Sequence, residues 1–182
     1  MASPAPASAV TVCNVYLEPE DPDGTSPPST SGGCYSSELS ADEAAFTAQT
    51  ADNAKRASAR SWVKIGLDCD SGLSEVCAFT DHLVWWGQSG RCDDNTRYQD
   101  RYIGDRWNDR VSGAQGLGGC NRFIHFEDRD FNGDWLSCGH SLDPSAPQKT
   151  LACTTLGPLN NETSSEKWRH CSDPNRLCFR GR

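Results

Sequence analysis

Two hexapeptides carry most of the oxygen chemistry of this chain. Asn160-Asn161-Glu162-Thr163-Ser164-Ser165 offers two amides, one carboxylate and three hydroxyls within six residues. Donors of that kind suit a hard cation such as calcium, and Glu162 adds a full charge that raises the affinity. Asn108-Asp109-Arg110-Val111-Ser112-Gly113 repeats the pattern upstream with two departures, Arg110 and Gly113. A guanidinium has no acceptor and repels a cation. One working and one crippled calcium site are therefore expected. The same residue types also build turns with no ion, because Asn and Asp accept turn geometry and Ser bonds its own backbone. A calcium site and a purely structural corner are the two alternatives.

A second motif precedes the downstream hexapeptide. In Phe123-Ile-His-Phe-Glu-Asp-Arg-Asp-Phe-Asn-Gly133, Phe126 and Phe131 are separated by four residues, and Gly133 follows Phe131 after one more. An aromatic pair can corner a folded β-hairpin whose Gly takes backbone angles that Cβ resists. Together, Phe126, Phe131, Gly133 and residues 160–165 resemble one Greek-key motif of the βγ-crystallin family. A less regular partner lies upstream in Phe79-Thr-Asp-His-Leu-Val-Trp-Trp-Gly87, with five spacers instead of four, followed by residues 108–113. The resemblance runs from about Asp68 to Trp168. It implies a calcium site at each hexapeptide, built from backbone carbonyls, the third-position residue, the Ser hydroxyl and an oxygen from a hairpin. Carried onto this chain, the ligands are Asn160, Asn161, Glu162 and Ser164 with Glu127 or Asp128, and at the weaker site Asn108, Asp109 and Ser112.

Other chemistry is poorly represented. His82, His125, His140 and His170 form no spaced metal pair, and neither a nucleophile elbow nor a phosphate loop is present. Glu127, Asp128, Asp130 and Asp134 read as a solvated acidic hairpin rather than a catalytic carboxylate pair. Gly113 to Gly119 reads as a flexible linker. No enzyme is expected.

Seventeen Lys and Arg stand against 25 Asp and Glu, a formal charge of −8. That balance argues against nucleic acid as a partner. Ten cysteines without a Cys-x-x-Cys pair point to as many as five disulfides formed in an oxidising compartment, so a secreted protein is expected. Cys171 and Cys178 bracket a short segment that a disulfide would close. No apolar run is long enough for a membrane span. The start, Met1-Ala-Ser-Pro-Ala-Pro-Ala-Ser-Ala, lacks a signal-peptide core and reads as the stretch that follows one.

The elements that must position these residues are mainly β. Residues 1–10 read as a disordered tail, and 11–62 as a strand, loop and helix extension. Within it, Val10–Leu17 alternates as a strand, Glu18–Gly33 reads as a loop, and Ser40–Ser61 as a helix with Ser40 as N-cap and Glu43 completing a capping box. Residues 63–182 hold short strands between Gly, Asp, Asn and Ser clusters, including 63–67, 76–79 and 83–86. The fold expected is mainly β, a βγ-crystallin-like Greek-key sandwich with an N-terminal strand-helix extension, rich in disulfides. Of Trp85 and Trp86, at most one packs inward, and the other is either exposed for a glycan or protein contact or covered by a loop or the N-terminal helix.

The tail, Cys34-Tyr-Ser-Ser and the Ala-rich helix resemble secreted actinomycete proteins similar to the Streptomyces metalloproteinase-inhibitor group. That resemblance implies an extracellular protein target, a protease by family, met by a rigid loop such as Leu142–Gln148 or Glu18–Pro28. Two alternatives are an antimicrobial or killer-toxin-like protein and a calcium-stabilised structural protein with no specific target.

Overall fold

The computed structural model describes residues 10–70, 80–139, 152–153 and 155–171. Ten strands and one helix follow in chain order: β1 (Val12–Leu17), β2 (Thr30–Tyr35), α1 (Glu38–Asn53), β3 (Val63–Cys69), β4 (His82–Gly87), β5 (Tyr98–Asp100), β6 (Gly113–Gly116), β7 (Arg122–Phe126), β8 (Trp135–Gly139), β9 (Ala152–Cys153) and β10 (Ser165–Arg169). The strands make two sheets, one ordered β2-β1-β4-β3-β6-β9 and the other β5-β10-β7-β8. The mainly β expectation therefore holds.

The two sheets interlock through an exchange. Within the run β3 to β6, the third strand, β5, leaves its neighbours and pairs with β10 of the other sheet. Within β7 to β10, the third strand, β9, crosses back and pairs with β6. The Cys138–Cys153 disulfide, with a sequence separation of 15, ties β8 of one sheet to β9 of the other. Cys13–Cys34 bonds directly opposed residues of β1 and β2, and Cys92–Cys120 joins two loops. Cys69 and Cys171 are also disulfide-bonded. Cys178 lies outside the described residues.

The core lies between the inner faces of the two sheets. Trp168 stacks on Phe123 at 5.2 Å between ring centroids and meets Trp85 at 6.1 Å. Ile65, Leu83, Tyr98 and Leu156 close around them. Of the adjacent tryptophans, Trp85 is the one that enters this core. Trp86 turns to the opposite face, where its indole N–H donates to Asn14 Oδ1 at 3.1 Å and Lys64 lies over its ring. The extension covers that ring, so it is not a free contact surface.

The extension continues the first sheet. β1 runs parallel to β4, with Val12 opposite His82 and Leu17 opposite Gly87, and β2 pairs outside it. The segment expected as loop up to Gly33 thus ends in a strand. Gly32 permits this, because a Cβ there would meet the Tyr16 ring at 2.4 Å. The helix begins at Glu38, with Ser37 Oγ accepting from the amide of Ser40, and so starts before the expected cap. It ends early for a local reason. Asn53 Oδ1 accepts from Arg60 N at 2.7 Å and its Nδ2 donates to Arg60 O at 3.0 Å, which folds the following residues back. Only Ala41 and Ala45 of the helix are buried. Polar links supply the rest: Asn14 Nδ2 donates to Ala41 O at 2.6 Å, and Lys64 reaches Glu38 and Asp42.

One buried ion pair fastens the extension to the second sheet. Arg169 Nη2 lies 2.7 Å from Glu20 Oε2, with side chains only 10% and 13% exposed. Burial pulls the Arg169 guanidinium down to about 10. Removing one partner of such a pair leaves an uncompensated charge. Glu20→Gln should therefore cost about 3 kcal/mol in urea unfolding. Asp130→Asn, which breaks only the exposed Arg101 pair, should cost under about 0.5 kcal/mol.

Candidate metal centre

The two hexapeptides fold alike and face each other. Their second residues, Asp109 and Asn161, take left-handed angles of φ 60° and 61°. Asp and Asn tolerate that region better than other residues with a Cβ. The Asp109 amide donates to Thr163 O at 3.2 Å, and the Asn161 amide donates to Val111 O at 3.0 Å. Each second residue thus bonds the fourth residue of the other hexapeptide. The fifth residues repeat the symmetry. Ser112 N donates to Cys69 O at 2.8 Å at the end of β3, and Ser164 N donates to Phe126 O at 2.9 Å at the end of β7. Asp70 and Glu127, the residues that follow those strand ends, are therefore equivalent.

The β7–β8 hairpin folds over as its residues predict. The Phe126 and Phe131 rings meet edge to face at 5.5 Å. Gly133 holds φ 74°, and a Cβ on it would press the Glu127 and Asp128 carboxylates at 3.0 Å. The last residue of the hexapeptide locks this fold: Ser165 Oγ donates to Asp128 O at 2.6 Å and accepts from Phe131 N at 3.1 Å. The upstream hairpin lies elsewhere than expected. Trp85 and Gly87 belong to β4 rather than to a corner, and Phe79 lies outside the described residues. The Asp70 amide donates to Asp81 O at 3.0 Å, which continues the antiparallel pairing of β3 with β4. Residues 113–116 form β6 rather than a flexible linker, because Gly116 must pass the Cys120 carbonyl where a Cβ would lie 2.2 Å away.

Between the downstream corner and the facing hexapeptide lies an open concavity of about 760 Å³. Asp109, Glu127, Asp128 and Glu162 supply four carboxylates, and Asn108, Asn161 and Ser164 supply neutral oxygens. Arg129 and Asn132, absent from the sequence-based set, complete the rim. Arg129 stacks over the Tyr102 ring at 3.5 Å and reaches Asp105 at 3.8 Å. An all-oxygen set with a surplus of negative charge fits calcium. Of the candidates named from sequence, Asn108, Asp109, Glu127, Asn161, Glu162 and Ser164 converge here, while Asn160 and Ser112 are not part of the lining.

Ser112 belongs to the opposite corner. Its Oγ donates to Asn161 Oδ1 at 2.6 Å and to Asp70 O at 3.3 Å. Arg110 fills that corner with a resident cation. Its guanidinium bonds Asp70 and lies 3.8 Å from Asp81. Sequence spacing could not find Asp70 and Asp81 as partners, because they come to Arg110 from the paired ends of β3 and β4.

A separate polar group lies inside the sandwich. Asp68 on β3, His125 on β7 and Glu166 on β10 are all fully buried. His125 Nδ1 lies 3.0 Å from Glu166 Oε1, and the Trp85 indole N–H donates to Asp68 Oδ2 at 2.5 Å. Burial raises the Asp68 carboxyl well above the usual range and pushes Glu166 up to about 8, while it lowers His125. His125 was passed over in the sequence because its partners lie far along the chain. Period-two alternation could have found two members: His125 is two residues from Phe123, and Glu166 is two residues from Trp168, both core rings.

Comparison of the chain with protein-family models, curated proteins and solved structures yields no match.

Proposed function

We propose that this chain is a secreted, disulfide-locked calcium-binding protein of βγ-crystallin type. The observation that carries the reading is the concavity in which Asp109 and Asn108 of one hexapeptide meet Glu162 and Ser164 of the other beside Glu127 and Asp128. The exchange of the third strands between sheets and the reciprocal bonds between hexapeptides support a doubled Greek-key architecture. The disulfides fit an oxidising, extracellular setting. No helix among the described residues is long and apolar enough to cross a membrane. Calcium here ties the two hexapeptides and the β7–β8 hairpin into one unit, so binding and stability are linked.

The test is calorimetric titration of calcium into the chelator-treated, oxidised protein, with a melting curve at each end. One site is expected. At a hundredfold excess over Kd, a single site adds about 2.7 kcal/mol of stability. Neither heat nor a shifted melting temperature would overturn the calcium reading.

A protein target is the second part of the proposal, and the 21–25 turn favours it. These residues are exposed, yet held from below. Asp21 N donates to Thr25 O at 2.7 Å, Gly24 N donates to Asp21 O at 2.9 Å, and Gln99 Nε2 donates to Gly24 O at 2.9 Å. A pinned convex turn loses little entropy on docking, as a protease inhibitor requires. Leu142–Gln148, the other candidate loop, lies outside the described residues. Inhibition within a small protease panel is expected, tested beside growth inhibition of bacteria and fungi. Growth inhibition alone would favour the antimicrobial alternative, and silence in both assays would leave a calcium-stabilised structural protein.

A further inference from the structure

We infer that Asp68, His125 and Glu166 form a second metal centre, inside the sandwich, for a divalent transition ion of the zinc class. The three side chains come from β3 of one sheet and from β7 and β10 of the other, so a bound ion would cross-link the two layers. All three are fully buried, and their ligand atoms lie within 4.8 Å of one another.

Asp68 Oδ2 accepts from Trp85, and His125 Nδ1 meets Glu166 Oε1. The Asp68 and Glu166 carboxyls otherwise meet each other, a bond that only a shared proton can make. His125 Nε2 is buried with no hydrogen-bond partner. A buried polar atom without a partner costs about 1–3 kcal/mol. An ion in place of the shared proton would hold both carboxylates and complete the set.

Charge points the same way. With an ion in place of the carboxyl protons, two carboxylates and a neutral imidazole sum to −2, which a divalent ion neutralises. The residue facing Glu166 across β5 is Asp100, another acid, which adds no compensation. Donor type decides the metal. An imidazole with two carboxylates is a zinc, cobalt or nickel set, whereas calcium prefers six or more oxygens and finds only two residues offering them here. Bonds of about 2.0–2.2 Å from each donor require these side chains to close by roughly 1 Å. Full burial means that the ion enters during folding.

This centre is independent of the calcium site and is tested apart from it. The protein is produced in oxidised form in cobalt-supplemented medium, passed through gel filtration, and measured for metal content and visible absorption. About one cobalt per chain is expected, with the intense d–d bands of a low-coordinate site. In His125→Gln and Glu166→Gln the cobalt should fall to under about a tenth of an equivalent, while calcium titration of the same samples is unchanged. Folded wild-type protein without cobalt or zinc would overturn the inference, leaving a protonated carboxyl pair to balance the core. Cobalt retained undiminished by both variants would also overturn it, since the ion would then be held elsewhere. If either variant fails to fold, the wild-type stoichiometry and spectrum still decide.

Discussion

In Arg110→Glu a calcium titration should find two sites in place of one, and in Glu162→Ala it should find the one site weakened roughly thirtyfold. The two substitutions are mirror images. Arg110 and Glu162 hold the third position of hexapeptides that bond each other through equivalent amides and carbonyls. Around Glu162 the concavity gathers Asp109, Glu127, Asp128 and Ser164. Around Arg110 the equivalent corner gathers Asn161, Asp70 and Ser112, with Asp81 beside them. The upstream corner thus keeps its oxygens and carries a guanidinium where the downstream one has a carboxylate. Removing a carboxylate near a divalent ion at a partly solvated site costs about 2 kcal/mol, roughly thirtyfold in Kd. Replacing the guanidinium by a carboxylate removes the repulsion and adds a ligand. Calorimetry at fixed ionic strength reads both the number of sites and the affinity. An unchanged isotherm for Glu162→Ala would remove the downstream assignment. A single site in Arg110→Glu would show that the upstream corner lacks the shape, and not only the charge, for calcium.

How much of this was legible in the sequence depends on the range of the interaction concerned. The hexapeptide turns, the aromatic corner at Phe126 and Phe131, and Gly133 are local devices, and they stand where their spacing puts them. The facing of Asp109 toward Glu162 is not local. It results from the doubled corner, which spacing alone cannot orient. The upstream hairpin was misplaced because an aromatic–Gly spacing occurs by chance inside β4, where Gly87 makes room for the Tyr98 ring instead of turning the chain. The Asp68 group shows another limit. Alternation along Ile65, Leu67 and Cys69 would point Asp68 outward. A bulge between Lys64 and Gly66 shifts the register, so that Gly66 and Asp68 share the inner face. A one-residue shift moves every following side chain across the sheet, and nothing in the local composition announces it.

The same bulge makes Gly66 the position where a single methyl should do most harm. Its missing side chain is the floor on which Trp168 rests, and a Cβ there would lie 2.3 Å from two atoms of the indole ring. Trp168 cannot retreat, since Phe123 stacks on it at 5.2 Å and Trp85 meets it at 6.1 Å. Overpacking a core that cannot relax costs about 3 kcal/mol, so Gly66→Ala should lose that much in urea unfolding. The cause can be separated from a general loss of strand quality. Trp168→Leu removes the ring that the new methyl strikes and is itself destabilising by roughly 3 kcal/mol through the cavity it leaves. In that background Gly66→Ala should cost less than about 1 kcal/mol, a coupling of about 2 kcal/mol between the two sites. Strictly additive costs would mean that the ring and the glycine are not in the contact described, and that the bulge positions β3 by some other means. A coupling of the expected size would establish that β3 and β10, the strands that carry Asp68 and Glu166, are held in register by one ring on one glycine.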